Sequence, residues 1–446
     1  RVENGPCVVR RRRDSEVRNR KIVAEAVYFV LVPQPKHERR LAMATTSYLY
    51  HTLGLTGYHH ERTEFREGAV YYHVRKKREA RRCAHCHARW IHLVMNGTIT
   101  RTFHALPVGR RKQFVVLHGH FQQCRRCGGN LREPIDFAQG KRRRLKVFER
   151  YVVDLCHIAT IKHVAILLGV GWDMIKAIFK NHLARRFERR KLSRVRYIAV
   201  DEFAIRKGHH YMTVVLDLET GAVLHAHEGR DAAALIPFLE KLRRKRAKLR
   251  AVAMDMWPAY LRAVQLVFPH VDVVHDPYHV VAIVNRAIDA TRRDLYRHLS
   301  GQERQVLKGS RFLLLRGMEH LPPHSLERLM ELMEINEPLY QAYLLKEDLR
   351  MFWNLPSAGA AETFLLSWMD QARTLGLKHF IKIADMMENH IAGLLAYFRH
   401  RISTGPIEGL NNKIKVLKRQ AYGFRDQAYF KLRLYFIHES VPAFAG

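Results

Sequence analysis

The sequence predicts a multidomain α/β protein, and three observations carry that prediction. Two Cys-x-x-Cys pairs, Cys83/Cys86 and Cys124/Cys127, bracket a strand-rich stretch. From Tyr197 three strand-like runs are followed by alternating helices and strands, and two of those strands run into aspartates. The chain has 446 residues and a net charge of +35, from 77 Lys and Arg against 42 Asp and Glu.

Hydrophobic residues make up 47%, the proportion of a globular chain and too high for disorder. The length suits roughly three domains rather than one large core. No run of ~18 apolar residues occurs, which excludes a transmembrane helix. The basic excess favours a polyanionic partner, most simply nucleic acid, over a ribosome-type binder or a membrane-surface protein. Residues 1–200 hold 43 Lys and Arg against 15 Asp and Glu, and residues 401–446 hold 8 against 3. The main polyanion surface is therefore expected in the N-terminal part, with a second patch near the C-terminus.

Residues 1–42 begin with Arg1, and the first methionine is Met43. The basic run Arg10 to Arg13 followed by Val27 to Val32 superficially resembles a signal peptide. The apolar run is short, lies away from the start and has no small-residue cleavage pattern after it. The segment is expected to be an unstructured or upstream-translated extension.

Residues 43–135 read as a zinc ribbon. Strands are expected at Ile91 to Met95, Ile99 to Phe103 and Phe114 to His118, with Asn96-Gly97 as the hairpin turn between the first two. Cys83, Cys86, Cys124 and Cys127 supply four thiolates, a complete tetrahedral set with no open position for chemistry. A redox pair is the rival reading, and Gly128-Gly129 beyond the second pair favours zinc. His85 and His87 read as surface residues, and Cys7 and Cys156 as buried thiols.

Residues 136–192 read as a helix-turn-helix. Ile161, Val164, Ala165 and Leu168 form one apolar face, Gly169 makes the turn, and Trp172-Asp173 opens a second helix with Ile175 and Ile178 facing back. That helix is expected to expose Asp173, Lys176, Lys180 and Asn181 to DNA. An ordinary helical hairpin is the bland alternative. The basic runs Lys141 to Arg144 and Arg185 to Lys191 favour DNA.

Residues 193–285 carry an apolar run ending at Asp201, strands at His210 to Leu218 and Ala222 to His227, and a helix capped by Asp231 and running to about Leu249. A strand Ala251 to Met254 then precedes Asp255, a helix spans Pro258 to Val267, and Val271 to His275 precedes Asp276. This is the order of an RNase H-like core, in which the first and fourth strands are neighbours and Asp201 and Asp255 project together. Paired carboxylates need a cation, and magnesium prefers oxygen ligands. Asp217 reads as a turn acid, and Glu202 is expected on the opposite face of its strand.

Residues 286–395 are nearly neutral and rich in helical apolar patterns, such as Leu326, Leu329, Met330 and Met333. Residues 396–446 return to the core with a helix that carries Glu408. Pro406 suits its first turn, and Ile407, Leu410, Ile414 and Leu417 repeat at helical spacing. Glu408, Asn411, Asn412, Lys415 and Arg419 share the other face, one acid beside amide and cationic groups.

On these residues the chain resembles the ISL3-type DDE transposases of bacterial insertion sequences. The resemblance is carried by the four-cysteine ribbon, the helix-turn-helix near Gly169 and Tyr197-Ile-Ala-Val-Asp-Glu-Phe-Ala-Ile. It extends to Ala253-Met-Asp-Met-Trp-Pro-Ala-Tyr, His275-Asp-Pro-Tyr-His279, Ser403-Thr-Gly-Pro-Ile-Glu-Gly-Leu-Asn-Asn-Lys-Ile-Lys and Arg419-Gln-Ala-Tyr-Gly-Phe-Arg-Asp426. It covers residues 43–446, supports Met43 as the natural start and implies that residues 286–395 are an all-α insertion into the RNase H-like core. It implies Asp201, Asp255 and Glu408 as a catalytic triad holding Mg2+ or Mn2+ ions about 4 Å apart, with Asp276 and His279 as accessory groups. Lys415, Lys418 and Arg419 would then hold phosphates near the cut. The implied partners are double-stranded DNA, as inverted-repeat ends and target, and a second copy of the chain on DNA. No guide RNA or membrane is expected, and the implied location is cytoplasmic and nucleoid-associated. The rival readings are a structure-specific nuclease on the same fold and a non-catalytic DNA-binding regulator.

Overall fold

The computed structural model describes residues 48–188, 190–206 and 210–439. The expected extension at 1–42, and the start expected at Met43, lie outside the described residues. The chain divides into two compact units, Arg1–Leu106 with Gln113–Val147, and Pro107–Lys112 with Phe148–Gly446. No helix among the described residues is long and apolar enough to cross a membrane.

The first unit opens with a short helix, α1 (Tyr48–His51), followed by β1 (Tyr58–Arg66), β2 (Ala69–Lys76), β3 (Leu93–His104), β4 (Gln113–Cys124) and β5 (Asn130–Arg132). The sheet order is β1-β2-β4-β3, with β5 also on β4. The β1–β2 hairpin is absent from the sequence-based expectations, because most of β1 faces solvent and shows no apolar alternation. Its turn is Glu67-Gly68, both left-handed at φ 53° and 73°, which matches the twist of the strands it joins.

The hairpin expected at Asn96-Gly97 is corrected. β3 is one continuous strand paired antiparallel with β4, and its register shifts between Met95 and Thr98. Gly97 sits at φ 81°, so Asn-Gly makes a bulge rather than a reversal. The same left-handed preference serves either purpose, and long-range pairing decides between them. The pairing sets Leu93 opposite Cys124.

From Phe148 the second unit continues through most of α2 (Lys146–Ile158), then α3 (Ile161–Leu168) and α4 (Trp172–Glu188). The Thr160 hydroxyl accepts the His163 N–H at 3.2 Å and caps α3. Gly169, at φ 58°, ends α3. Ile161, Val164, Ala165 and Leu168 are buried, as are Ile175, Ile178 and Phe179 of α4.

Next come β6 (Tyr197–Arg206), β7 (His210–Asp217), β8 (Val223–Glu228), α5 (Ala232–Arg244), β9 (Ala251–Met254), α6 (Pro258–Val267) and β10 (Asp272–His275). Their sheet order is β10-β9-β6-β7-β8, with β6, β9 and β10 mutually parallel. Asp231 accepts the Ala234 N–H at 3.0 Å and caps α5, which stops at Arg244, short of the expected Leu249. Asp217 accepts from the Glu219 N–H and the Thr220 hydroxyl, the turn role expected of it.

Every later described element is helical: α7 (Pro277–His298), α8 (Gly301–Leu307), α9 (Arg311–Leu315), α10 (Pro323–Ile335), α11 (Glu337–Met351), α12 (Ala358–Thr374), α13 (Lys378–His400), α14 (Gly405–Gln420) and α15 (Gln427–Phe436), with short 3-10 turns between. α7 grows directly out of β10, and α13 returns to it. On α13, Ala396 packs with Ala251 and Val274, and Arg399 and His400 pair with Asp272 at 3.0 and 2.7 Å. α7 and α13 therefore belong to the sheet and to the helical segment at once.

Strand alternation sorts the core into two layers. Ile198 and Val200 of β6 face α5 and α6, packing with Leu235, Leu239, Tyr260 and Val264. Ala199, Met212 and Val214 face α14 and α15, packing with Ile407, Leu410, Ile414 and Phe430. Burying each large aliphatic side chain of α14 contributes roughly 1.5–3 kcal/mol, enough to fix which face of the helix turns outward.

Candidate active site and metal centre

The two Cys-x-x-Cys pairs meet. The sulfur atoms of Cys83, Cys86, Cys124 and Cys127 all lie within 4.8 Å of one another. Cys83–Cys127 and Cys86–Cys124 are each separated by 3.7 Å. A tetrahedral ion with Zn–S bonds of 2.3 Å requires S–S edges of about 3.8 Å, whereas a disulfide requires about 2.05 Å.

Both pairs use the same turn. The Cys83 N–H donates to Ala88 and the Cys124 N–H to Gly129, each at 2.9 Å, while the carbonyls of Cys83 and Cys124 accept from His87 and Gly128. His87 at φ 56° therefore occupies the left-handed position that Gly128 fills at φ 71°. His85 and His87 are exposed and outside the cluster. The backbone N–H groups of Cys86 and His85 pull the Cys83 thiol down to about 6, favouring thiolate.

In the second unit an acidic row crosses three parallel strands. β6 pairs with β9 as Tyr197↔Ala251, Ile198↔Val252 and Ala199↔Ala253. The same offset carried two residues further sets Asp201 beside Asp255. β9 pairs with β10 up to Met254↔His275, so the next step sets Asp276 beside Asp255. Neighbouring strands are ~4.8 Å apart; Asp255 and Asp276 follow the last residues of β9 and β10, and Asp201 lies in β6 just past its pairing with β9. Burial raises the Asp201 and Asp255 carboxyls above their ordinary range. Asp255 raises Asp201 further, and Asp276 raises Asp255.

Each acid has a distinct hold. Asp201 accepts the Glu202 N–H at 2.8 Å and the Asn411 side-chain amide at 3.2 Å. Asp255 accepts the Trp257 N–H at 3.1 Å. Asp276 is buried and accepts the Thr404 N–H at 3.1 Å, tying the start of α14 to the end of β10. His279 Nε2 lies 4.0 Å from Asp276, and a protonated imidazole there would favour ionisation of both Asp201 and Asp255.

Glu202 lies on the α6 side of β6 by alternation, as expected, yet it is not remote. Burial pushes it up to about 7, with further lifts from Asp255 and Asp201. The sequence expectation places it away from the site, and the doubled acid Asp201-Glu202 within one strand is the signal that points to it.

Glu408 is exposed on the first turn of α14. It lies three residues before Asn411, hence on the same side of the helix and about 4.5 Å along its axis. Asn411 reaches Asp201, so Glu408 belongs at the same end of the sheet. Among the described residues, however, the four cysteines are the only group of three or more Cys, His, Asp or Glu ligand atoms held within 4.8 Å. The triad is therefore not gathered as tightly as the thiolates. Oxygen donors on buried, mutually repelling carboxyls nonetheless fit a hard divalent cation.

Other expected DNA contacts fare unequally. Asn412, Lys415 and Arg419 are exposed on α14, with Lys415 donating to Asn412 at 3.3 Å. Lys418 instead donates to the carbonyls of Ala204 and Ile205 at 2.9 and 2.7 Å, closing the end of β6. Lys176 and Lys180 are not the open DNA-facing pair expected on α4. Both are half-buried and bind Asp426 at 3.0 and 2.8 Å, because α15 packs on that side of α4. Asp173 and Asn181 remain exposed.

A family model described as a transposase, of the ISL3 type, matches residues 198–434. The transposase for insertion sequence element IS1001 of Bordetella parapertussis is 33% identical over 390 residues, which is 85% of this chain and 95% of that protein. The transposase for insertion sequence element IS1557 of Mycobacterium tuberculosis is 27% identical over 396 residues, 82% of this chain and 88% of that protein. The Drosophila P element transposase in its strand transfer complex aligns with a TM-score of 0.36 at 9% identity, over 66% of this chain and 91% of that one.

Proposed function

The chain belongs to the ISL3-type transposase family, and from that premise we propose that it cuts DNA at insertion-sequence ends and joins the freed 3′-hydroxyls to target DNA in one carboxylate site. The observation that carries this is the acidic row: Asp201, within β6, and Asp255, just past the end of β9, come from adjacent parallel strands, and Asn411 of the Glu408 helix is bonded to Asp201. The strand order β10-β9-β6-β7-β8 supports an RNase H-like core interrupted by the helical segment between Asp255 and Glu408.

Asp201, Asp255 and Glu408 would hold Mg2+ or Mn2+. Bound there, the metal supplies an activated water for cutting and charge stabilisation for the leaving 3′-oxygen. The chain's own groups do the rest. Asn411 holds Asp201 in place. Asp276 fixes the entry of α14, and with it Glu408. Asn412, Lys415 and Arg419 offer an amide and two cations to phosphates beside the cut. The four cysteines hold a structural Zn2+. The ribbon and the α3–α4 helix-turn-helix bind the element's ends, and two copies of the chain pair them.

The test is purified protein, magnesium and labelled DNA carrying the element's terminus. Cutting followed by joining is expected, with both steps lost in Glu408→Gln. Joining that survives this change would remove Glu408 from the site. Cutting with no joining would favour a nuclease on the same fold.

A further inference from the structure

A groove on the α7–α13 pair has no part in the carboxylate site. It encloses about 300 Å³ and is lined by Ile283, Arg286, Ala287 and Ala290 of α7 and by His379, Lys382, Ile383 and Met386 of α13. Its floor is apolar, and its rim is cationic. His379 is bonded to Asp294 at 2.7 Å. Arg286 and Lys382 are exposed, and among the described residues neither engages an acidic partner.

The groove also has a direction. His279, Ile283, Arg286 and Ala290 fall on one stripe of α7, at spacings of four, three and four residues. His279 lies 4.0 Å from Asp276, so the stripe starts at the acidic row. Arg286 lies seven residues further on, roughly 10 Å along the axis. α13 runs beside it, and its His390 ring meets His275 with centroids 4.9 Å apart. Both walls therefore lead away from the end of β10.

An apolar floor with two free cations at its edge suits a nucleotide. The base face covers the aliphatic floor, the Met386 thioether adapts to an aromatic ring, and the phosphates meet Arg286 and Lys382. Inside a duplex both faces of each base are covered by stacked neighbours, and a blunt end exposes only the outer face of its last pair, which remains tied to its partner. We propose that this groove binds an unpaired nucleotide of the DNA end next to the cut. The inference rests on the transposase reading above and adds a single-strand subsite to it.

The test uses full-length protein without magnesium and two labelled probes, a blunt duplex and the same duplex with a splayed, mismatched terminus. Wild type is expected to prefer the splayed probe by about tenfold. Arg286→Ala with Lys382→Ala should abolish that preference while changing blunt-duplex affinity by less than about twofold. Ala290→Trp, which fills the groove and keeps both cations, should do the same. The inference is overturned by a wild type with no preference, by a preference that persists in both variants, or by equal loss on both probes. It is also overturned if the variants alter only self-association in sedimentation, which would make the groove a protein contact. Failure of the wild type to cut and join with magnesium would sink the transposase reading instead, and the splayed-probe preference would still report on the groove.

Discussion

The two candidate metal sites are built in opposite ways. The thiolates stand 3.7 Å apart in pairs, held by two copies of one short turn. The carboxylates come from β6, from the end of β9 and from α14, and their approach depends on the whole sheet. Local turns fix the sulfurs directly. Long-range topology brings the acids to one edge, and like charges then resist further gathering. A closed soft-ligand cluster suits a metal that holds structure, and a spread hard-ligand set suits one that arrives with substrate.

The largest expected effect is on the thiolate side. Replacing Cys83 with Ser should remove zinc, whose binding carries ~10 kcal/mol or more in small structural sites. Metal analysis should fall from one zinc per chain to none, and the stretch between the two pairs should become protease-sensitive. Retention of a full zinc equivalent would break the contrast at its source.

On the carboxylate side the fold should survive and the chemistry should not. Asp255→Asn removes a repelling charge from a buried row, so thermal stability should hold or rise slightly. Losing several kcal/mol of transition-state stabilisation slows cutting on the order of a thousandfold. A variant that melts early and still cuts would reverse the assignment of roles.

What the sequence disclosed follows the same division. The cysteine spacing and the helical repeat Ile407, Leu410, Ile414 and Leu417 are local patterns, and each takes its expected place, whereas the strand expected to end at Asp201 runs on to Arg206 because β7 goes on pairing with it. The Asn96-Gly97 turn failed because a bulge and a hairpin share one local signal. Lys176 and Lys180 failed because a helix face is polar whether it meets solvent, DNA or an aspartate some 250 residues away in sequence. The tie from Asp276 to Thr404 was illegible for the same reason, since it joins two strand and helix ends through one backbone N–H.

That tie gives a graded test between the two extremes. Asp276→Ala leaves the Thr404 N–H buried without its acceptor and should cost about 1–3 kcal/mol. Asp276→Asn keeps an acceptor oxygen and should cost less. If Asp276 positions Glu408 through Thr404, melting temperature and cutting rate should fall together, alanine more than asparagine. Equal rates with unequal melting temperatures would confine Asp276 to stability.

The smallest effects separate two lysines three residues apart on α14. Lys418 closes the carbonyls of Ala204 and Ile205, so Lys418→Ala should destabilise by about 1 kcal/mol. Its amine is already engaged, so the salt dependence of DNA binding should barely move. Lys415 is exposed and, among the described residues, bonds only a neighbouring amide. Lys415→Ala should leave stability within about 0.5 kcal/mol and lower the slope of log affinity against log salt by about 1. The opposite pattern would mean that α14 turns a different edge to DNA, and the amide and cations of its outer face would lose their place beside Asp201. The crossed outcome thus reads the orientation of the Glu408 helix independently of catalysis, which a loss-of-activity variant cannot do.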